Sequence, residues 1–361
     1  MSRPRVLLTT DVVGGVWDFS VCLAAELSAD WQVTLLALGV PTVAQRADAA
    51  AAGAALRVEP VKLEWMQDSA ADVAHTRQLV SHIATQGYDL IHANQFAAAC
   101  AEVDVPVVLT LHSDVLSWRR WTLGTAVIPP EWMAYRDLVR DALVRATRVV
   151  AVSRFLAQEV QELYACGRDI EVIHNGWSAS PANAPRQPTT LVAGRIWDAA
   201  KNVSLAATAA SGWTPGEVLL AGERRHPESL MAAEVPPPLH PLGVLDRADL
   251  QNLLDRISVY LSPARYDPFG LVPLQAAQHG CALLLSDIPS YRELWDGAAC
   301  FFKSGDADDL RRKWRLLLAQ SDVRQAFARA ARARAQSSYS AARMAAQYRA
   351  VYATTCMRRV A

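Results

Sequence analysis

The sequence has no surplus of either charge. Its 36 Lys and Arg balance 36 Asp and Glu, for a formal net charge of zero. A protein whose main partner is nucleic acid needs a basic surplus to neutralise phosphates, so that class is set aside, although a local basic patch is not excluded. Charge is also sparse. Charged residues make up 20% of the chain and hydrophobic ones 52%, a balance that suits packed cores and not disorder. Cysteine is scarce and unpaired in pattern. Cys22, Cys100, Cys166, Cys281, Cys300 and Cys356 include no C-x-x-C, and most fall in apolar stretches, as reduced buried thiols do. No uninterrupted apolar run reaches membrane-spanning length. Residues 1–4 lead straight into a strand-like run, without the apolar core and cleavage site of a signal peptide. A cytoplasmic location is expected, with attachment at the inner face of the membrane left open.

Several motifs are missing. The eight histidines show no H-E-x-x-H or other ligand spacing, so neither a metal nor another cofactor is expected. G-x-S-x-G is absent, which argues against a serine hydrolase. There is no Walker P-loop and no G-x-G-x-x-G. The second expected strand ends in Leu36-Ala37-Leu38-Gly39, without the acid that would hold a nicotinamide ribose. A dehydrogenase is therefore not expected.

What the sequence does contain is alternation. At 361 residues it has length for two α/β domains. Strands are expected at 6–10, 32–38, 89–93, 106–111, 148–152 and 170–173, separated by helices that include 71–86, 131–146 and 153–164. Trp177 to Pro188 is rich in Pro, Ser and Ala and reads as a linker. Alternation then restarts, with strands at 189–193, 217–221, 242–245, 258–261, 282–285 and 299–302 and a helix over 201–210. Two segments rich in Arg and Ala close the chain, the last over 340–355. The expected fold is α/β, with two Rossmann-like, doubly wound parallel-sheet domains and a cleft between them. The N-terminal domain covers 1–176 and the C-terminal one 189–340, followed by a helix over 341–361.

In such sheets ligands bind just beyond the carboxyl ends of strands. Gly14-Gly15-Val16 lies after the first strand, where glycines let a ligand approach a helix N-terminus; an ordinary tight turn fits equally well. His112 follows another strand and could donate to a sugar hydroxyl or serve a structural role. Arg195 and Lys201 stand six apart in a strand-to-helix loop and can converge on a diphosphate, if the loop is not merely solvated. The string Tyr266 to Gln275 would present Phe269, Gly270 and Leu271 amides at a helix N-terminus, with Asp267 and Gln275 eight apart. Trp118-Arg119-Arg120-Trp121 could be an acceptor lid, a membrane-surface contact or an exposed loop. The basic run from Arg324 to Arg334 reads as a solvated helix face.

Together these segments resemble glycosyltransferase family 4, retaining enzymes of the GT-B fold. Gly194-Arg195…Lys201-Asn202 is similar to the family's G-R…K-N segment. Asp267-Pro268-Phe269-Gly270-Leu271-Val272-Pro273-Leu274-Gln275 is similar to its E-P-F-G-L-x-x-L-E string. The resemblance implies that the first domain takes the acceptor and the second the donor, and that the last helix packs back on the first. It implies donor-diphosphate contacts for Arg195 and Lys201, and backbone contacts for Phe269, Gly270, Leu271 and Val272. It also implies a sugar-hydroxyl contact for Asp267, ribose for Gln275, and the base at Val244 and Leu245. His112 would lie beside the donor sugar, with Gly14, Gly15 and Val16 near the diphosphate. His112, Asp267, Arg195 and Lys201 would then be the catalytic set. The family's glutamate pair is here Asp267, one methylene shorter, and Gln275, uncharged.

The activity so implied is retaining transfer of a hexosyl group from a nucleoside diphosphate sugar to a hydroxyl acceptor without a metal, a UDP-sugar favoured over a GDP-sugar. An epimerase or hydrolase on the same fold, and a non-catalytic sugar-nucleotide-binding protein, are the alternatives.

Overall fold

A computed structural model describes residues 3–179, 181, 185–213 and 216–357. The chain divides into two compact units. The first takes residues up to Arg120, Gly124–Gly176 and the chain from Ala341, and the second takes Trp177–Ser340 together with Trp121–Leu123.

The first unit holds a seven-stranded sheet in the order β3-β2-β1-β4-β5-β6-β7. Its strands are β1 (Arg5–Asp11), β2 (Gln32–Leu38), β3 (Ala55–Glu59), β4 (Leu90–Ala93), β5 (Val107–Leu111), β6 (Arg148–Ala151) and β7 (Glu171–Val172), all paired in parallel. Parallel strands are covered on both faces, so their sequences are continuous apolar runs without alternation. Val6, Leu7 and Leu8 are fully buried, as are Leu90 and Ile91. The helices are α1 (Gly15–Leu27), α2 (Val43–Ala51), α3 (Ala70–Ala84), α4 (Phe96–Ala99), α5 (Val115–Leu123), α6 (Met133–Arg145), α7 (Arg154–Leu163) and, from the far end of the chain, α14 (Ala341–Met357).

The sheet is tied to α14 by a buried polar chain. The His92 ring lies between Tyr352 Oη at 2.6 Å on Nδ1 and Thr110 Oγ1 at 2.7 Å on Nε2, and Thr110 also meets Tyr348 Oη at 3.0 Å. Burial lowers the His92 pKa to about 3, with a smaller contribution from His112, so the ring is neutral.

The second unit holds a six-stranded parallel sheet in the order β10-β9-β8-β11-β12-β13. These are β8 (Gln187–Ala193), β9 (Val218–Ala221), β10 (His240–Gly243), β11 (Ile257–Ser262), β12 (Ala282–Ser286) and β13 (Cys300–Phe302). The helices are α8 (Val203–Ala210), α9 (Arg247–Arg256), α10 (Leu271–Gln278), α11 (Pro289–Trp295), α12 (Ala307–Ala319) and α13 (Ser321–Ser338). On one face, Val192, Leu220, Val259, Leu261 and Phe302 pack with the alanines of α8 and with Trp314 of α12. The Trp314 indole N–H donates to Thr190 Oγ1 at 2.9 Å, which satisfies the polar end of that buried ring.

Three expectations are corrected here. The segment 177–188 is not all linker. Trp177 is 2% exposed, its N–H donates to Tyr339 O at 3.0 Å, and the Arg247 guanidinium lies 4.6 Å over its ring. At the other end of that segment Gln187 and Pro188 already belong to β8, while residues 180 and 182–184 lie outside the described residues. The helix expected over 201–210 begins at Val203, because Asn202 takes a left-handed conformation (φ 50°) after a 3-10 turn at Ala199–Lys201. The strand expected over 242–245 is β10, His240–Gly243, ended by Gly243 at φ 74°.

Candidate functional site

Each sheet winds outward in both directions from a central strand. β1 lies between β2 and β4, and β8 between β9 and β11. Loops leaving such neighbouring strands diverge and open a crevice at their carboxyl ends. In the second unit the loops that follow β8 and β11 are 194–202 and 263–270. They carry Arg195, Lys201 and Asp267.

These two loops are joined. Arg265 N–H donates to Ala200 O at 2.8 Å, and Asn202 Nδ2 donates to Pro263 O at 3.2 Å. Lys201 Nζ meets Asp267 Oδ2 at 2.8 Å, with the two side chains 21% and 14% exposed. Opposite charges so placed and so far withdrawn from water attract more strongly than a surface pair. Arg195 pairs with the buried Asp198 at 2.8 Å, and its guanidinium lies 5.2 Å from the Trp197 ring centre. Asp198 is held in turn by its acceptor bond from Ala200 N–H.

Close backbone approach shapes the crevice. A Cβ on Gly222, at φ 139°, would fall 1.8 Å from Gly194 O, and one on Gly194 would meet the Lys201 methylenes at 3.3 Å. Gly270, at φ 80°, caps the N-terminus of α10, where no side chain accepts from the helix amides. The first-turn N–H groups of a helix have no partner within it, and Pro273 has no N–H to offer. Leu271 and Val272 thus present a partial positive charge beside Asp267 and Lys201. The Phe269 side chain is buried edge-on to Tyr339 at 5.8 Å, which leaves only its backbone for a ligand.

Arg195, Lys201, Asp267, Gly270, Leu271 and Val272 are thereby gathered at one switch point. Gln275 sits on α10 but is only 2% exposed. Val244 lies past the end of β10 and is 66% exposed, so Val244 and Leu245 form a loop and not a strand edge.

In the first unit the loops after β1 and β5 carry the expected residues, and the loop after β4 carries Asn94. Gly14 is the N-cap of α1 in extended conformation, and no side chain caps this helix either; Gly15 and Val16 open its first turn. His112 Nε2 lies 2.9 Å from Asn94 Oδ1. Asn94 Nδ2 donates to Thr9 O at 2.7 Å, which fixes the amide with its oxygen toward the ring. His112 Nε2 therefore carries the proton, and Nδ1 is an acceptor. Phe19 packs edge-on to the ring at 4.6 Å. His112 is half-buried, and desolvation lowers its pKa to about 3. At Nε2 His112 donates to Asn94, which leaves Nδ1 as its acceptor.

For the Trp118–Trp121 cluster, the exposed-loop reading is the one that is corrected. The cluster lies on α5, capped by Asp114, which accepts from Ser117 N–H at 2.9 Å. Arg120 is bridged to Glu162 at 2.6 Å and Glu159 at 3.4 Å on α7, so the segment is a helix tied to α7 by ion pairs and not a free loop.

Three residues escaped the sequence reading. Tyr291 on α11 donates to Asp267 Oδ2 at 3.1 Å, and burial, then the Asp267 charge, raises its pKa well above the usual range for a phenol. Gly222 is the second. Glu64 accepts from Phe96 N–H at 2.8 Å, and burial, reinforced by nearby Asp11, raises its pKa to about 7. None has a local motif, because their partners are far away in sequence.

Among the described residues there is no group of three His, Cys, Asp or Glu able to hold a metal ion, and no helix is long and apolar enough to cross a membrane.

Comparison with known proteins places this geometry. The sequence profile described as Glycosyltransferase Family 4 matches residues 13–180, and that described as Glycosyl transferases group 1 matches residues 177–334. A glycogen synthase of Mycobacterium tuberculosis is 29% identical over 275 residues, 70% of this chain and 65% of that protein. The chain thus spans just under two thirds of that relative's length. An alpha-maltose-1-phosphate synthase of the same organism is 26% identical over 325 residues, 77% of this chain and 82% of that protein. The crystal structure of Anabaena HepE in complex with UDP and glucose superposes with a TM-score of 0.73 at 17% identity, covering 98% of this chain and 100% of that one. With the two profiles together spanning residues 13–334 and both parallel sheets in place, the chain belongs to the family-4 glycosyltransferases and has the GT-B fold.

Proposed function

We propose that the chain transfers a hexosyl group from a nucleoside diphosphate sugar, UDP-glucose being the favoured donor, to a hydroxyl acceptor with retention of anomeric configuration. The observation that carries this reading is the Lys201–Asp267 pair, 2.8 Å apart beside the uncapped N-terminus of α10. It puts cationic and backbone donors for a diphosphate next to a carboxylate for a sugar hydroxyl. The UDP and glucose bound by HepE support the choice of donor.

Each residue then has a role. Arg195 spends one N–H on Asp198 and keeps others for a phosphate oxygen. Lys201 has three donors, one of them on Asp267. As the bond from the anomeric carbon to the diphosphate oxygen breaks, these cations and the Leu271 and Val272 amides stabilise the developing phosphate charge without a metal. The departing phosphate oxygen takes the acceptor's proton while the acceptor oxygen bonds to the same face of the sugar. Asp267 holds a sugar hydroxyl. Gln275 is assigned to the ribose, and Val244 and Leu245 to the base.

Proton NMR of the product from UDP-glucose and a panel of hydroxyl acceptors tests this. An α-glycoside is expected, with Arg195→Ala lowering kcat by about 100-fold or more. A β-glycoside, free glucose, an epimerised sugar nucleotide, or a near-normal rate in Arg195→Ala would contradict it.

A further inference from the structure

Asp267 receives two hydrogen bonds on the same oxygen. Lys201 Nζ reaches Oδ2 at 2.8 Å and Tyr291 Oη reaches it at 3.1 Å. Oδ1 is left without a protein partner among the described residues. The bonding order follows from chemistry. An ionised carboxylate only accepts, so Tyr291 donates to Asp267. The Tyr291 proton is then committed, and Ser262 Oγ, 2.8 Å away, donates to the phenol oxygen. The neighbouring Ser290 hydroxyl donates to Asp267 O at 2.6 Å and fixes the backbone of the same residue. The Tyr291 ring is fully buried and packs under the N-cap of α10, so that a Cβ on Gly270 would stand 3.0 Å from Tyr291 Cε1.

One side chain therefore holds both the carboxylate and the start of the helix. We infer that Tyr291 is a positioning residue for the donor sugar: by occupying Oδ2 it turns Asp267 Oδ1 toward a sugar hydroxyl. The short Asp side chain makes this support necessary, since its carboxylate reaches less far than a glutamate's and has less freedom to find the hydroxyl by itself. The inference rests on the donor site proposed above. Tyr291 acts through Asp267 and touches no reacting atom.

Calorimetric titration of UDP and of UDP-glucose separates this role from a purely structural one. Tyr291→Phe keeps the ring under Gly270 and removes the hydroxyl. UDP, which has no sugar, is expected to bind as in the wild type, while UDP-glucose binds about fivefold more weakly, the scale of one hydrogen bond. Ser262→Ala, which leaves the phenol in place, should weaken UDP-glucose alone by about twofold, on the same scale. In an Asp267→Ala background, which removes the acceptor, Tyr291→Phe should add nothing further. Equal weakening of both ligands, no change in either, or a full fivefold loss on top of Asp267→Ala would overturn the role. A wild-type chain that binds neither ligand would overturn the donor-site reading itself, and this inference with it.

Discussion

Two desolvated ionisable residues of the first unit, half-buried Glu64 and buried His92, pull stability in opposite directions with pH. Glu64 has its pKa raised from 4.5 to about 7. Between these values the folded chain binds a proton that the unfolded chain has lost, so stability falls as pH rises from about 4.5 to 7. His92 has its pKa lowered from 6.5 to about 3. Below pH 6.5 the unfolded chain takes up a proton that the folded chain refuses, so stability falls as pH drops toward 3. Glu64→Gln keeps a carbonyl oxygen for the Phe96 N–H and removes the first effect. Urea unfolding at pH 5 and pH 8 should show the wild type losing about 2 kcal/mol relative to this variant. Parallel behaviour of the two proteins would refute the assignment. Neither residue was legible as special in the sequence. Glu64 gains its character from desolvation and the Asp11 charge, and His92 from burial among Thr110, Tyr348 and Tyr352, all set by the fold. By contrast, Arg195, Lys201 and Asp267 stand in short strings whose chemistry is local.

At the level of elements, apolar runs between turns revealed most strands, and the missed helices had signals of a different kind. α2 carries a complete capping box, with Thr42 accepting from Gln45 N–H and Gln45 reaching back to Thr42 N–H. α9 is capped by Asp246 and α5 by Asp114. All three are polar enough on one face to read as loops when only hydrophobic periodicity is followed. α10 was legible because Gly270 stands where its chain must turn. An L residue at φ 80° costs roughly 1–2 kcal/mol. A Cβ there would also meet Pro273 Cγ at 2.9 Å and Tyr291 Cε1 at 3.0 Å. Gly270→Ala should therefore lower the melting temperature by several degrees, on the scale of a few kcal/mol, and weaken UDP binding together with it. A variant that melts and binds UDP like the wild type would show that the start of α10 is not where the diphosphate sits.

Over the whole molecule, the alternation of strands and helices made both doubly wound sheets readable, because buried parallel strands leave long apolar runs. The strand order was not readable: it depends on which helix crosses which face, and no single strand encodes that. Yet strand order is what locates the chemistry. It puts β8 between β9 and β11, so that Lys201 and Asp267, 66 residues apart in the chain, come together. The chain's return to its first unit is made by α14, whose two tyrosines complete the His92 network.

If this junction binds the diphosphate of a nucleotide sugar, removing Lys201 weakens that binding. Isothermal titration of UDP-glucose into the wild type and Lys201→Ala tests it most directly. Saturable one-to-one binding by the wild type is predicted, with a loss of tenfold or more in the variant, since a charged hydrogen bond contributes about 1.5–3 kcal/mol. Undiminished UDP-glucose binding by a folded Lys201→Ala protein, or no binding by the wild type, would contradict the account.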